Sequence, residues 1–328
     1  MCVKKLYTWR AQLLNITIEM EHISVLKDEV RTYLEIKDGD VVVDATLGLG
    51  GHALDIAKRL GKKGVLLAFE QDERNLIEAQ KRLKDFEKQI IYFHDNFRHL
   101  KTRITGRDAA SPKGERSLSF FGKVDAILFD LGLSSPHVDE SERGFSFMKE
   151  GPLDMRFDQR QKLTAGDIIN TYSERELADI FFHYGEERMA KKIAYLICNR
   201  RKVQPFTTTS ELAQFLDESI PKNQRKPRRV HPATQIFQAL RIAVNDELNV
   251  LKEVLGQSME ILKIGGKIAI ISYHSLEDRI VKHFFKNLER PRVAADEAIY
   301  SNYGESIVEN LTGKPVVPSE QEISSNPR

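Results

Sequence analysis

The segment that most constrains the fold is residues 41–60, with the sequence VVVDATLGLGGHALDIAKRL. An unbroken apolar run, then clustered glycines, then apolar residues at helical spacing predict a buried strand, a tight turn and a helix. The pattern Gly48-x-Gly50-x-x-Ala53 fits a dinucleotide-binding fingerprint, and Glu70 follows about 20 residues later, at the end of a second apolar run. A carboxylate at that place binds a ribose diol, so the segment predicts a site for a nucleotide cofactor.

Both NAD and S-adenosylmethionine carry such a diol, and two residues of the turn favour S-adenosylmethionine. Asp44 ends the first predicted strand just before the glycines, where its carboxylate can hold loop amides and face a cationic amino-acid group. NAD sites instead bring a helix N-terminus close to a pyrophosphate, and His52 would crowd that group. A tight turn without a ligand is the alternative; the coincidence of the glycines with Asp44 and Glu70 argues against it.

Strand and helix patterns alternate through the first part of the chain. Four short apolar runs, at residues 41–45, 64–70, 90–93 and 124–130, are separated by helical patterns or loops. Repeated β-α units of this kind predict an α/β fold with a doubly wound, mostly parallel sheet. Residues 101–122 are polar and irregular, and they predict a surface loop before the fourth strand.

The middle of the chain shows only helical patterns, from residue 164 to residue 221. Two sequences in this region, Ser173-x-x-Glu176 and Thr208-x-x-Glu211, fit the capping box that starts a helix. We therefore expect a helical segment here.

A longer helical pattern follows, with apolar residues at helical spacing over 233–262. Pro232 suits its first position and Gly265 suits its stop. A strand at 267–275 and an amphipathic helix at 276–285 come next, so the sheet is expected to resume after a helical insertion.

Composition bounds the functional classes. The 328 residues are 41% hydrophobic and 30% charged, which is typical of a globular protein. Two cysteines, Cys2 and Cys198, argue against a disulfide framework and a structural zinc site, and they fit a reducing cytoplasm. No apolar run approaches the roughly 20 residues of a membrane helix. We therefore expect a cytoplasmic protein without a membrane segment and without a metal.

The formal net charge of +2 is too small to indicate a nucleic-acid partner, but the cations are unevenly distributed. Residues 222–229 carry five cations in eight positions, and smaller clusters at 191–192 and 200–202 precede them. Such runs are either solvated surface or a face that binds phosphate, and charge alone does not choose between the two.

Eight stretches of the sequence resemble the bacterial RsmH (MraW) methyltransferase family. They are HISVLKDEV (22–30), DATLGLGGH (44–52), FDLGLSSP (129–136), RGFSF (143–147), GPLDMRFD (151–158), YGEER (184–188), HPATQIFQALRIAVNDEL (231–248) and ISYHSLEDRIVK (271–282). The longer stretches are highly specific. The family methylates the N4 amino group of a cytosine in the decoding region of 16S ribosomal RNA, and the resemblance implies that activity here.

The resemblance implies a class I, Rossmann-like, S-adenosylmethionine-dependent methyltransferase core with an inserted all-helical substrate-recognition domain. We therefore expect the core at residues 21–140 and 232–290, and the mainly helical substrate domain at 141–231. Residues 1–20 are expected to form a flexible extension and residues 291–328 an extended tail. The implied partner is 16S rRNA in the small ribosomal subunit; a homodimer stays open.

The resemblance also places the contacts with S-adenosylmethionine on seven residues: Gly50, Gly51, His52, Glu70, Phe97, Asp130 and His137. Glu70 is expected at the ribose, Phe97 near the adenine and Asp130 at the end of the fourth strand. His137 stands where the family usually has glutamine, and an imidazole can still make one hydrogen bond there.

The N4 amine of cytosine is a weak nucleophile, because its lone pair is delocalised into the ring, so the enzyme must accept an amino proton. Many amino methyltransferases use an Asp/Asn/Ser-Pro-Pro-aromatic motif after the fourth strand, where this chain has DLGLSSPH (130–137). Asp130 is the first candidate for the catalytic acceptor, and cofactor binding is its alternative role. Backbone carbonyls and the hydroxyls of Ser134 and Ser135 are further candidates. His274 either faces the same cleft or makes a structural hydrogen bond.

The target base must be unpaired or extruded to enter such a pocket. Phe145 and Phe147 either stack on that base or anchor their loop in the core. Arg143 and Arg156 either hold RNA phosphate or pair with aspartates between residues 139 and 158.

Three other functions share parts of this pattern. A small-molecule methyltransferase predicts a short apolar lid rather than a charged helical domain. An NAD-dependent oxidoreductase is supported by the glycine turn alone. A non-catalytic RNA-binding protein that kept the fold is opposed by the glycine turn, Glu70 and Asp130, although His137 keeps it open.

Overall fold

The structure is a computed structural model, which describes residues 24–106, 119–220, 231–289 and 306–325. The predictions for residues 1–20 and for the basic run 222–229 lie outside these ranges. No helix within the described ranges is long and apolar enough to cross a membrane.

One sheet of parallel strands forms the centre of the molecule. Its strands are β1 (Val41–Asp44), β2 (Val65–Phe69), β3 (Ile90–Phe93), β4 (Val124–Asp130) and β5 (Leu262–Ile271). Their spatial order is β3-β2-β1-β4-β5. This confirms the predicted doubly wound α/β fold, since parallel strands covered on both faces appear in a sequence as unbroken apolar runs.

Helices cover both faces of the sheet, and a further group of helices follows β4 in the chain. They are α1 (Lys27–Leu34), α2 (Gly51–Leu60), α3 (Glu73–Arg82), α4 (Leu100–Thr105), α5 (Ser135–Asp139), α6 (Ala165–Thr171), α7 (Glu174–His183), α8 (Ala190–Val203), α9 (Thr209–Ser219), α10 (Ala233–Asn245), α11 (Glu247–Ile261), α12 (Ser275–Glu289) and α13 (Glu320–Ser325). Neighbouring residues of a strand face opposite sides, so Val42 packs with α1, α2 and α3, and Val43 packs with α4 and α11.

Helices α6 to α10 have an apolar cluster of their own. Ile168, Phe181, Ile197, Leu212 and Leu240, one from each helix, are fully buried in it. The residues between β4 and α11 therefore bury much of their apolar surface among themselves rather than against the sheet.

The helical pattern at 233–262 is two helices, so the prediction of one continuous helix is wrong. Asp246 between α10 and α11 has a left-handed backbone with a φ of 53°. Its carboxylate accepts a hydrogen bond from Arg98 Nη2 at 2.8 Å. The predicted stop at Gly265 is also wrong, because β5 already begins at Leu262, where the chain pairs with β4.

The two predicted capping boxes have different outcomes. Ser173 accepts from the amide of Glu176, whose carboxylate accepts in return from the amide of Ser173 at 2.7 Å, so this box is confirmed. Thr208 accepts from the amide of Glu211 at 3.2 Å. The carboxylate of Glu211 is instead engaged by the guanidinium of Arg200, so only half of the second box forms.

The predicted surface loop and tail contain more regular structure than expected. Residues up to Thr105 of the predicted loop 101–122 belong to α4, whose Leu100 and Ile104 are buried against the sheet. The described part of the tail, residues 306–325, ends in α13. Glu322 of that helix accepts a hydrogen bond from the amide of Leu26 at 2.5 Å, which brings the tail to the start of α1.

Candidate active site

The glycine turn joins β1 to α2 at the carboxyl edge of the sheet. The amide of Gly50 donates to the carbonyl of Leu47 at 2.8 Å, and the amide of Leu47 donates to the carbonyl of Phe69. Gly50 has a φ of 77°, and a β-carbon there would lie 3.1 Å from Leu83 Cδ1. Only glycine fits this position without strain, so the turn is built by β1, β2 and α3 together. The next two residues, Gly51 and His52, open α2.

Glu70 fastens the turn from the end of β2. Its buried carboxylate accepts hydrogen bonds from the amides of Gly48 and Asp72, both at 2.8 Å. Burial raises the pKa of Glu70 to about 8, against the lowering effect of these bonds. Each carboxylate oxygen has a second lone pair, so the group could still bind hydroxyls of a ribose.

Asp44 lies at the end of β1 and is almost completely buried. Its Oδ1 accepts from the amide of Thr46 at 3.1 Å, and its Oδ2 has no hydrogen-bond partner among the described residues. Burial raises the pKa of this carboxyl to about 7, and the nearby charge of Asp130 adds to the shift. A buried carboxylate oxygen without a partner is a place for a donor from a bound molecule.

Asp130 lies at the end of β4, next to Asp44 on the same edge. Its Oδ1 accepts a hydrogen bond from the hydroxyl of Tyr273 at 2.8 Å, and its Oδ2 lies 3.7 Å from His52 Nε2. The amide of Asp130 donates to Thr46 Oγ1 at 2.6 Å. Burial raises the pKa of Asp130 to about 6, although the hydrogen bond from Tyr273 lowers it. The carboxylate is thus a stronger base than an exposed aspartate, yet it is largely ionised at neutral pH.

Phe97 follows the end of β3, the strand that lies on the side of β2 away from β1. Its ring packs edge-on against Phe129, with the ring centroids 5.7 Å apart. The neighbouring Asn96 donates through Nδ2 to Gln71 Oε1 at 2.8 Å, which links the ends of β3 and β2. Phe97, Glu70 and Asp130 therefore line one edge of the sheet, in the order of the strands.

His137 is buried, and both nitrogens of its ring are engaged within the chain. The amide of Ser134 donates to Nδ1 at 3.2 Å, and Nε2 lies 2.8 Å from Asp72 Oδ2. This pattern makes Nδ1 the acceptor and Nε2 the donor of a neutral ring, in keeping with burial, which lowers the pKa of His137. A direct hydrogen bond from His137 to a cofactor would have to replace one of these two contacts.

Arg143 pairs with Asp72, which the sequence did not indicate. Arg143 Nη1 donates to Asp72 Oδ2 at 2.5 Å, and Nη2 donates to the carbonyls of Arg156 and Phe157. The expected partners of Arg143 between residues 139 and 158 are therefore wrong. Arg156 does pair within that range, with Asp154 at 2.6 Å. The sequence contains a partial signal for a structural role of Asp72, because an aspartate directly before Glu73 suits the N-cap of helix α3.

The structure supports the packing alternative for Phe145 and Phe147, and it gives His274 a structural hydrogen bond from the amide of Glu277 at 3.4 Å. Phe145 is buried and stacks on Phe157 with a centroid distance of 5.2 Å. Phe147 packs edge-on against Phe237 at 4.9 Å. His274 faces α12, where its Nε2 lies 3.2 Å from Glu277 Oε1. The two phenylalanines are therefore packed in the helical segment, and His274 is paired with α12.

The strand order, the switch point between β1 and β4 and the acidic groups at the strand ends define a Rossmann-like protein with a site for a nucleotide cofactor. The sequence model of the MraW methylase family matches residues 19–328. The chain therefore belongs to the MraW methylase family.

Two curated relatives are each 40% identical to the chain, and both are named Ribosomal RNA small subunit methyltransferase H. The protein of Finegoldia magna aligns over 313 residues, which is 95% of this chain and 96% of the relative. The protein of Streptococcus dysgalactiae subsp. equisimilis aligns over 315 residues, with the same shares. Among solved structures, a putative rRNA-methylase from Clostridium thermocellum has a TM-score of 0.25 at 23% identity and covers 33% of this chain and 50% of its own. A methyltransferase homolog protein from Pyrococcus horikoshii has a TM-score of 0.33 at 15% identity and covers 78% and 48%.

Proposed function

We propose that this protein methylates the N4 amino group of a cytosine in the decoding region of 16S rRNA, with S-adenosylmethionine as methyl donor. The observation that carries the proposal is the placement of Asp130: its partly buried carboxylate lies beside the glycine turn, 3.7 Å from His52 Nε2, and its Oδ1 accepts a hydrogen bond from Tyr273. The name that both relatives carry supports a substrate in the small ribosomal subunit. The cytosine and its N4 position rest on the sequence resemblance.

The residues present fit S-adenosylmethionine. The unpartnered Oδ2 of Asp44 suits a cationic amino group. Glu70 suits the ribose hydroxyls, and Phe97 beyond β3 suits the adenine. The amides of Gly50 and Gly51 and the ring of His52 complete the wall of the turn. His137 contributes from behind by fixing Ser134 and Asp72 rather than by pointing into the cleft.

The cofactor supplies a methyl group that is already activated by a sulfonium. The residues of the chain hold the amine in line with that methyl, and positioning of this kind contributes up to about 7–11 kcal/mol. Asp130 would accept an amino proton at Oδ2 as the amino nitrogen bonds to the methyl carbon and the carbon–sulfur bond breaks, its electron pair leaving with the sulfur. Tyr273 stays protonated, because burial and the charge of Asp130 both raise its pKa, so it acts only as a donor to Oδ1.

The helical segment is the proposed contact with RNA. Arg201 donates to the carbonyls of Ile169 and Tyr172, and Arg200 is engaged by Glu211, so these two cations hold the helices together. Lys191 and Lys202 are exposed and remain available for phosphate. The expected division into a core at 21–140 and 232–290 and a substrate domain at 141–231 stays a proposal. Because α10 packs in one apolar cluster with α6 to α9, we propose that the second boundary lies near residue 246 instead of residue 232.

The test uses labelled S-adenosylmethionine and small ribosomal subunits from cells that lack the endogenous activity. The RNA is digested after the reaction and the methylated nucleoside is identified. Label in N4-methylcytidine is expected, with little label from Asp130→Asn and full label from Asp28→Asn. Asp28 is a matched control, because it is an exposed carboxylate on α1 whose ion-pair partner among the described residues is Arg31. Label in any other nucleoside would contradict the proposed specificity.

A further inference from the structure

Tyr273 is an aromatic residue that the proposed chemistry uses only through its hydroxyl. It follows β5 by two residues, and β5 pairs with β4 so that Ile271 lies opposite Asp130. Its hydroxyl donates to Asp130 Oδ1 at 2.8 Å, yet the residue is 50% exposed. Phe145 and Phe147, by contrast, are committed to the packing of the helical segment. Tyr273 is therefore an exposed aromatic ring beside the proposed proton acceptor.

The strand order sets the side from which the methyl acceptor enters. Glu70 and Phe97 assign the nucleoside half of the cofactor to the ends of β2 and β3. The acidic groups of β1 and β4 then mark its amino-acid half and the reacting methyl. In the order β3-β2-β1-β4-β5, the next position along the edge is the end of β5, where Tyr273 lies. An acceptor base that approaches the methyl from the side opposite the adenine meets this ring.

The ring of Tyr273 is held in a fixed position. Gly132, with a φ of 101°, packs so closely that a β-carbon there would lie 3.2 Å from Tyr273 Cδ2. The amide of Tyr273 donates to Glu277 Oε2 at 2.9 Å, and Glu277 is buried in α12. The backbone, one side of the ring and the hydroxyl are thus all constrained, while the exposed half of the residue is left for a ligand.

We propose that Tyr273 forms the wall of the acceptor site, where its ring stacks on the extruded target cytosine while its hydroxyl orients Asp130 toward the amino group. This assignment rests on the proposed function. A cytosine has the flat face that an aromatic platform binds, and proteins that take bases out of a helix commonly hold them by such stacking. Tyr273 thus has two proposed roles, stacking by its ring and orientation of Asp130 by its hydroxyl, and two substitutions test them separately.

The first variant, Tyr273→Leu, removes the ring and the hydroxyl. Loss of a stacking partner is expected to lower kcat/KM for the small subunit about 5- to 150-fold. Binding of S-adenosylmethionine, measured by calorimetry, should stay within about twofold of wild type, since Asp44, Glu70 and Phe97 do not depend on Tyr273. Tyr33→Phe on α1 is the control, because no hydrogen bond of the Tyr33 hydroxyl occurs within the described ranges.

The second variant, Tyr273→Phe, keeps the ring and removes the hydroxyl. KM for the small subunit should then stay near the wild-type value. The acid limb of the pH–rate profile should move to higher pH, because the lost hydrogen bond is one that lowers the pKa of Asp130. The other titratable groups that face Asp130 are His52 on α2, Asp44 on β1 and Glu277 on α12, and this substitution changes none of them.

The outcomes separate this assignment from the proposed function. If the wild-type protein gives no label in N4-methylcytidine, both the proposed function and the assignment of Tyr273 are wrong. Wild-type labelling together with an unchanged kcat/KM in Tyr273→Leu overturns the assignment alone. Equal losses of cofactor binding and of kcat/KM in Tyr273→Leu would show a structural role and would also overturn it. An acid limb that does not move in Tyr273→Phe refutes the orienting role of the hydroxyl.

Discussion

Asp72 and Arg143 form a buried ion pair, with 2% and 3% of their side chains exposed and 2.5 Å between Arg143 Nη1 and Asp72 Oδ2. The amide of Asp72 also donates to Glu70, and the guanidinium of Arg143 also donates to the carbonyls of Arg156 and Phe157. The pair therefore connects the proposed ribose-binding group to the loop that leads into the helical segment.

Arg143→Met should destabilise the fold strongly. The substitution leaves the carboxylate of Asp72 buried without its cationic partner, a change that typically costs about 3–5 kcal/mol. Thermal or urea unfolding measures the loss. Arg74→Ala is the matched control, because Arg74 pairs with Glu140 on the surface, where such pairs contribute about 0–1 kcal/mol. Equal losses in the two variants would contradict the importance of the buried pair.

Binding of S-adenosylmethionine should release protons below pH 7. The pKa of Asp44 is raised to about 7, so in the free protein the carboxyl is largely protonated at pH 6. A cationic amino group beside it favours the ionised form, so binding expels the proton and affinity rises with pH until about 7. Calorimetry in two buffers of different ionisation enthalpy counts the protons. Fewer protons should be released when the cofactor binds to Asp44→Asn. An unchanged number of released protons would mean that Asp44 does not face the cofactor.

Methyl transfer should depend on an ionised Asp130. Its pKa is raised to about 6, mainly by burial, so the rate of the chemical step should fall as pH drops below about 6. Asp130→Asn should lower that rate about 10²- to 10⁴-fold, the usual range for loss of a general base. Single-turnover assays with saturating cofactor measure both effects. A variant with a normal rate and weak cofactor binding would assign Asp130 to the cofactor instead.

Gly50→Ala should weaken the fold by about 1–2 kcal/mol, the usual cost of a left-handed backbone at a non-glycine residue. The added β-carbon also meets Leu83 at 3.1 Å. Gly256→Ala on α11 should have the opposite sign, because it has open space around it and alanine suits a helix better than glycine by about 1 kcal/mol. Thermal unfolding of the two variants gives the comparison, and a stabilised Gly50→Ala would refute the account of the turn.

The sequence was most informative where a local pattern determines the structure. The apolar runs gave β1 to β4, and the parallel topology then placed Asp44, Glu70 and Asp130 at one edge. The break at Asp246 was missed because α10 and α11 continue the same apolar spacing and no glycine or proline separates them. The glycine fingerprint indicated Gly50 and Glu70, and the family resemblance supplied the other five of the seven proposed cofactor residues.

Contacts between distant residues could not be read from the sequence. The bond from His137 to Asp72 spans 65 residues, and the bond from Tyr273 to Asp130 spans 143. Each of these two hydrogen bonds depends on how segments at the ends of different strands pack against each other in the folded protein. Tyr273 lies inside the strand predicted at 267–275, two residues beyond the observed end of β5, and the resemblance assigned it no role.

The strand β5 reaches its place beside β4 only after the helical segment has been made, because residues 131–261 lie between the two strands. During synthesis the glycine turn, Glu70 and Asp130 leave the ribosome early, yet Asp130 has no tyrosine beside it until residue 273 has emerged and docked. A nascent chain can therefore complete the proposed acceptor site only after residue 273 has been translated. Since this late strand closes a loop of more than a hundred residues, its docking should be among the slower steps of folding.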